Sequence, residues 1–333
     1  MTRRHTITRA VLAATSFILI IPAVWFGSFL FQPIAPPQAR TVTIASGTSF
    51  AKVAGILKDE GVIASAKRFT LLARLRGDAG RIKAGDYAFS APATPGQVLD
   101  RLIAGDVIRR QITIIEGMAL REIAQRLEAE GFGTSAEFLK LTGDPEFIAG
   151  LGIASPTLEG YLFPETYTVV AGISQKRLVE LMVSQFQQRT GQELIEAARK
   201  RGFTLQQLVT LASIIQKEAG NLAEMPVISA VFHNRLKRGM MLQADPTVIY
   251  GIENFDGNLT RKHLETPTPY NTYRMKGLPP TPIASPGEDA LRAAAFPADS
   301  PHLYFVARGD GTHVFAATLE EHNRNVRRYQ LRR

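Results

Sequence analysis

Cysteine is missing from the whole of this 333-residue chain. Its absence excludes a disulfide scaffold, a cysteine-ligated zinc or iron–sulfur site and a thiol nucleophile. It leaves the compartment open, because an oxidising space tolerates a cysteine-free protein as readily as the cytosol does. An excess of one charge is also missing from the body of the chain. The net +9 sits at the ends: Arg3, Arg4, Arg9 and Arg40 at one, and Arg324, Arg327, Arg328, Arg332 and Arg333 at the other. Between them, 41–323 holds 30 basic and 30 acidic residues. A neutral body gives no support for a basic groove tracking phosphates, so nucleic acid is not an expected partner. The six histidines show no HExxH and no pair at metal-binding spacing on one helix. No G-x-S-x-G, Walker loop or G-x-G-x-x-G follows a strand. No metal and no cofactor is therefore expected, and Ser213 has no evident histidine partner for acyl transfer.

One long apolar run is present. Ala10 to Phe31 gives 22 uncharged, mostly apolar positions, which meets the roughly 20 residues a helix needs to cross hydrocarbon about 30 Å thick. Arg3, Arg4 and Arg9 precede it, so the positive-inside rule places the N-terminus in the cytoplasm. The run is too long for a signal-peptide core and ends in a poor cleavage site. The expectation is an uncleaved transmembrane anchor over 10–31, after a cytoplasmic tail 1–9 and before a Pro-rich linker 32–40. The protein is then expected to be a single-pass membrane-anchored protein with its C-terminal domain outside the cytoplasm.

Beyond the linker, an offset of 70 residues aligns Ile44 with Ile114, Gly47 with Gly117, Val53 with Ile123 and Ala54 with Ala124. The same offset pairs Leu57 with Leu127 and Gly61 with Gly131. Each copy reads as a short β-branched strand, a Gly turn and a helix of about 12 residues ending at Gly. A first βα subdomain is expected over 41–107 and a second βα module over 108–190, with further helices at 95–104 and 174–189. Such small repeated modules resemble LysM-type glycan-binding domains. The texture changes from 203, where a core over 203–331 completes a domain spanning 108–333. FTLQQLVTLASIIQKEAG and EMPVISAVFHNRLKRG read as helices. Residues 264–287 hold six prolines and cannot be regular helix or central strand. HLYFVA and THVF flank a turn as a hairpin, and Thr318 with Glu321 opens a last helix over 319–331. The fold class is α+β: an N-terminal transmembrane helix, a small LysM-like βα subdomain, then a mixed α+β catalytic domain.

On a wheel advancing about 100° per residue, Glu218 falls between Ile214 and Ile215, on the stripe shared with Leu208 and Leu211. A carboxyl on an apolar stripe is desolvated, which raises its pKa. A Glu kept protonated near neutrality is what a general acid needs. The alternative at this position is a last-turn Glu exposed to water or bonded to a nearby amide. Against it, a carboxylate near a helix C-terminus opposes the macrodipole. Gln243, Asn271, Tyr250 and Tyr273 add the amides and phenols that suit a sugar's hydroxyl edge and C–H face, and are the candidate substrate contacts. Two rivals to a one-carboxyl enzyme remain. One is a hydrolase using Asp245 or Glu265 as a second carboxylate, although Asp245 before Pro246 also reads as a turn. The other is a glycan-binding scaffold in which Glu218 is structural.

LASIIQKEAG (211–220), FHNRLKRGMMLQADPTVIYG (232–251), LETPTPYNTYRMKGLPPTPIASPG (264–287) and LYFVARGDGTHVFAATLEEHN (303–323) resemble the MltG/YceG-type endolytic murein transglycosylases. LEGYLFPETY (158–167) fits the same family, and the resemblance runs in order over roughly 45–330. It implies a single-pass inner-membrane enzyme with its catalytic domain outside the cytoplasm that cleaves within nascent peptidoglycan glycan strands, with peptidoglycan synthases as candidate partners. It carries the family's catalytic glutamate onto Glu218. That residue is expected to protonate the oxygen linking N-acetylmuramic acid to N-acetylglucosamine. It then takes the muramic C6 hydroxyl proton as a 1,6-anhydro ring closes. Two departures stand out: Gln216 where many members have Glu, and Thr281 where Gly usually follows Leu-Pro-Pro.

Overall fold

The computed structural model describes residues 24–36, 38–45 and 47–331. They fall into two units. The first holds the described chain up to Arg110 with Thr168–Gly172, and the second holds Gln111–Tyr167 with Ile173–Arg333.

In the first unit a helix α1 (24–31) precedes β1 (Arg40–Ile44), α2 (Phe50–Asp59), α3 (Ala66–Leu75), β2 (Gly85–Phe89) and α4 (Pro95–Ala104). β1 and β2 pair antiparallel from Arg40 against Phe89 to Ile44 against Gly85. The period-2 pleat turns Val42, Ile44, Tyr87 and Phe89 inward, onto Val53, Ala54 and Leu57 of α2 and Val98, Leu99 and Leu102 of α4. α4 shows why its limits fall where they do. Thr94 and Gln97 form a capping box, Pro95 occupies the first turn, and Gly105 ends the helix in the left-handed region.

Among the described residues no helix is long and apolar enough to cross a membrane. This corrects the expectation of a transmembrane helix over 10–31, and with it the single-pass placement in the inner membrane. Residues 10–23 lie outside the described residues. Within the described part of the run, Phe29 is 2% exposed in the first unit's protein core, and the Arg68 guanidinium stacks 4.9 Å from the Trp25 and Phe29 rings.

β3 (Arg109–Thr113) pairs with β4 (Thr166–Val170) as a separate two-stranded ribbon. Between them lie α5 (Leu120–Ala129), α6 (Ser135–Thr142) and α7 (Pro145–Gly150). α5 begins 70 residues after α2. Gly47 and Gly117 share φ of 78° and 80°, and Gly61 and Gly131 share 73° and 75°. The aligned glycines thus supply left-handed turns that a side chain would strain. α8 (Gln175–Lys200) overruns the helix expected at 174–189, continuing through a break at Gly191 with φ 52° and ψ 171°.

The rest of the second unit comprises α9 (Leu205–Glu218), a 3-10 turn (Leu222–Glu224), α10 (Met225–Lys237), α11 (Asp245–Tyr250), α12 (Arg261–Glu265) and α13 (Glu288–Ala295), then the hairpin β5 (Tyr304–Ala307) and β6 (His313–Ala316), and α14 (Leu319–Tyr329). α13 packs against α8, α9 and α10, and α14 lies along the hairpin. The Pro-rich 266–287 segment is irregular, as its prolines require.

Candidate active site

α9 opens on a capping box between Thr204 and Gln207 and buries Leu208, Leu211, Ile214 and Ile215 completely. Its last residue is Glu218, and Ala219 leaves the helix in an extended conformation. The apolar stripe therefore delivers one carboxyl to the helix end, half-buried, in a cleft of about 430 Å³. Burial pushes that carboxyl up to about 8; neighbouring Asp245 pushes the same way, and Arg235 opposes both. Among the described residues no hydrogen bond or ion pair holds it. A proton-carrying carboxyl without a fixed partner, open to a cleft, is free to give its proton to a ligand.

The cleft walls come from five further segments: Arg235 of α10, Leu242 to Asp245, Tyr273, the hairpin's Phe305 to Ala307 with His313, and His322, Val326 and Gln330 of α14 and its end. Arg235 is only 7% exposed, and its charge meets carbonyls in place of a carboxylate. Nε donates to Leu303 O at 2.6 Å, and Nη1 donates to Leu242 O at 2.8 Å and to Gln243 Oε1 at 3.2 Å. Gln243 stands at φ 51°, a conformation costly for any residue but glycine. Its N–H donates to Thr272 O at 3.1 Å, and the next N–H, of Ala244, donates to Thr272 Oγ1 at 3.0 Å. Tyr273 donates to Asp245 Oδ1 at 2.6 Å. Burial, then Asp245, holds the Tyr273 phenol well above its ordinary value.

Of the four candidate substrate contacts, Gln243 and Tyr273 line this cleft. Asn271 and Tyr250 do not. Asn271 is fully buried, its Nδ2 donating to the carbonyls of His263, Leu264 and Thr266 and its Oδ1 accepting from Tyr273 N–H, so it ties the Pro-rich loop together. The Tyr250 hydroxyl donates to Glu159 Oε2 at 2.9 Å. Glu159 is itself a buried carboxyl, both oxygens accepting from Leu120 N–H at 3.1 Å. Burial raises it to about 7 against the pull of those bonds, and its partners make it structural.

The two departures from the family pattern have local explanations. Gln216 turns away from the cleft, accepting from Gly287 N–H at 2.9 Å and donating to Glu116 at 3.2 Å. Thr281 is buried, its hydroxyl 2.8 Å from Tyr270 Oη and donating to Pro282 O at 3.0 Å. Ser213 donates to Thr210 O and accepts from Ile283 N–H, which leaves no role for it as a nucleophile.

Volume alone does not mark the site. A larger cavity of about 690 Å³ is lined by Lys200, Arg201, Phe203, His233 and Lys237, with Asp299 as its one acid. Its histidine and arginine are committed to the carbonyls of Ala294 and Ala295.

The family model described as the YceG-like family matches residues 42–328. The chain belongs to this family. It is 33% identical over 330 residues to a protein of Bacillus subtilis (strain 168) named endolytic murein transglycosylase, covering 94% of this chain and 91% of that one. A protein of the same name from Streptococcus pneumoniae is 27% identical over 340 residues, covering 91% of this chain and 61% of its own length. A crystal structure of a YceG-like protein from Listeria monocytogenes superposes with a TM-score of 0.60 at 34% identity, covering 86% of this chain and 98% of that one.

Sequence reasoning on this YceG-like chain did not single out Arg235 or His322, read His313 as satisfying local hydrogen bonds, and kept Asp245 only as the second carboxylate of a rival hydrolase or as a turn residue. Arg235 had a signal: it continues the buried row Ile228, Val231 and Phe232 of α10 at helical spacing. The two histidines had none, because only the hairpin and α14 packing together bring them to Glu218.

Proposed function

We propose that this YceG-like chain is an endolytic murein transglycosylase and that Glu218 is its catalytic acid. The observation that carries the reading is the Glu218 carboxyl, raised to about 8, in a cleft that Arg235 and Asp245 also line. At neutral pH it holds the proton that a glycosidic oxygen needs on leaving. Delivery of that proton to the oxygen between muramic C1 and the glucosamine frees the glucosamine end. Attack of the muramic C6 hydroxyl on C1 closes the 1,6-anhydro ring without water. Gln243 and Tyr273 are assigned to substrate contact. Tyr250 and Asn271 are assigned to holding the loop that carries them. The domain 108–333, with its core over 203–331, performs the cleavage, and the LysM-like 41–107 module holds glycan.

One observation favours a second reading: Asp245 shares the cleft and acts electrostatically on Glu218, as the second carboxylate of a hydrolase would. Glu265 gives no such support, being exposed and paired with Arg261 at 2.8 Å. Mass spectrometry of products from uncrosslinked glycan strands separates the readings. Ends lighter by one water than hydrolysis products, absent with Glu218→Gln, are expected. Water-containing ends would establish the hydrolase. No cleavage by folded protein would leave a glycan-binding scaffold.

A further inference from the structure

The cleft holds a second proton-handling group that a one-carboxyl scheme leaves idle. His313 opens β6, and Glu224 closes the 3-10 turn that follows α9. The His313 backbone N–H donates to Glu224 Oε1 at 3.0 Å, and its Nδ1 lies 2.8 Å from Oε2. Burial pushes the Glu224 carboxyl up, but the bonds from His313 outweigh it and hold the carboxyl below its ordinary value. A carboxylate only accepts, so Nδ1 carries the hydrogen and Nε2 of the neutral ring is an acceptor. No partner for Nε2 is found among the described residues. The ring's position is set by packing as well: Phe305 meets it edge-on at 5.3 Å. The hairpin tip is pressed onto the end of α9, where a Cβ on Gly220 would lie 2.3 Å from Gly311 O.

We propose that His313, oriented by Glu224, is the base that receives the muramic C6 hydroxyl proton; this rests on the transglycosylase reading above. The arrangement repeats the logic of a carboxylate fixing an imidazole tautomer so that the other ring nitrogen can deprotonate an alcohol. Here the alcohol belongs to the substrate. As O6 bonds to C1, its proton passes to Nε2. The C1–O bond breaks, and the departing oxygen takes the Glu218 proton. The chain is left with a Glu218 carboxylate and a His313 imidazolium, and proton exchange with cleft water resets both. A lone carboxyl must finish giving before it can take, whereas two groups let both transfers overlap. Glu224 holds the His313 ring, and the charged and titratable groups that line the cleft with it are Glu218, Arg235, Asp245, Tyr273 and His322. Glu224 is a positioning residue.

The test is kcat/KM on uncrosslinked glycan strands between about pH 5 and 9 with the full chain, His313→Asn and Glu224→Gln. Asn keeps a donor toward Glu224 but offers no base. The wild-type profile is expected to fall near pH 8, where Glu218 gives up its proton. His313→Asn should lose at least about 100-fold in kcat with little change in KM. Glu224→Gln should lower kcat with KM unchanged, because a neutral amide no longer fixes the ring's tautomer, and Glu224→Asp should restore part of the loss. His313→Asn with unchanged kcat overturns the assignment. If His313→Asn does not fold, Glu224→Gln decides: an unchanged kcat overturns the proposal, and a lowered kcat that Glu224→Asp partly restores supports it. Failure of the underlying reading shows separately, as water-containing ends or as activity in Glu218→Gln.

Discussion

At the scale of the residue, Glu218 links catalysis to stability. Its carboxyl titrates at about 8 in the folded chain against 4.5 for an unperturbed glutamate. The folded state therefore binds more protons than the unfolded one between those values, and stability falls as pH rises through the interval. Glu218→Gln removes that slope. The variant should be more stable than the wild type by on the order of 1–3 kcal/mol at pH 8 and nearly equal to it near pH 4. Denaturant titrations at the two pH values check this, and a gap independent of pH would refute it. Asp245 is the neighbour that adds to burial in raising Glu218. Asp245→Asn should lower the Glu218 pKa and move the alkaline limb of kcat/KM to lower pH, provided the products remain anhydro ends. An unchanged limb would mean that burial alone sets the value.

At the scale of the element, α9 is placed by a loop that comes within contact distance of it. Gly160, in the LEGYLFPETY segment, has φ of 84°, and a Cβ there would lie 2.5 Å from Pro282 Cβ and 3.0 Å from Val209 Cγ1. Gly160→Ala should destabilise the chain by about 2 kcal/mol or more and lower kcat through displaced α9, as thermal unfolding beside single-turnover kinetics would show. The helix itself was legible in the sequence. Its stripe from Leu208 to Ile215 and the carboxyl on that stripe follow local periodicity, whereas its Thr204–Gln207 capping box was found only in the structure. The Gly turns of the two repeats were legible for the same reason, since a left-handed φ is a property of one residue. The place of Asn271 was not: three carbonyls converge on its amide from a loop without period.

At the scale of the whole molecule, the two units divide the work of stability and site. Tyr87, fully buried in the first unit, donates to Lys83 O at 2.7 Å and lies 3.2 Å from Leu102 O. Tyr87→Phe should cost about 1 kcal/mol while leaving kcat on short glycans unchanged, because every residue lining the Glu218 cleft lies in the second unit. A fall in kcat would tie the first unit to the chemistry. Apolar character by itself does not distinguish lipid from a protein core, and within the described 24–31 segment Phe29 is buried in the latter. By itself the sequence determined the helix at 95–104, the helices that became α9 and α10, the Thr318 cap, the Gly turns of the repeat and the one carboxyl on an apolar face, because these depend on residues within a few positions of each other. The short helices α3, α6, α7, α12 and α13 were not legible. Tertiary structure alone decided what surrounds that carboxyl. Arg235, Asp245, Tyr273, His313 and His322 reach one cleft from segments spread over about a hundred residues, and no local pattern encodes which of them will meet.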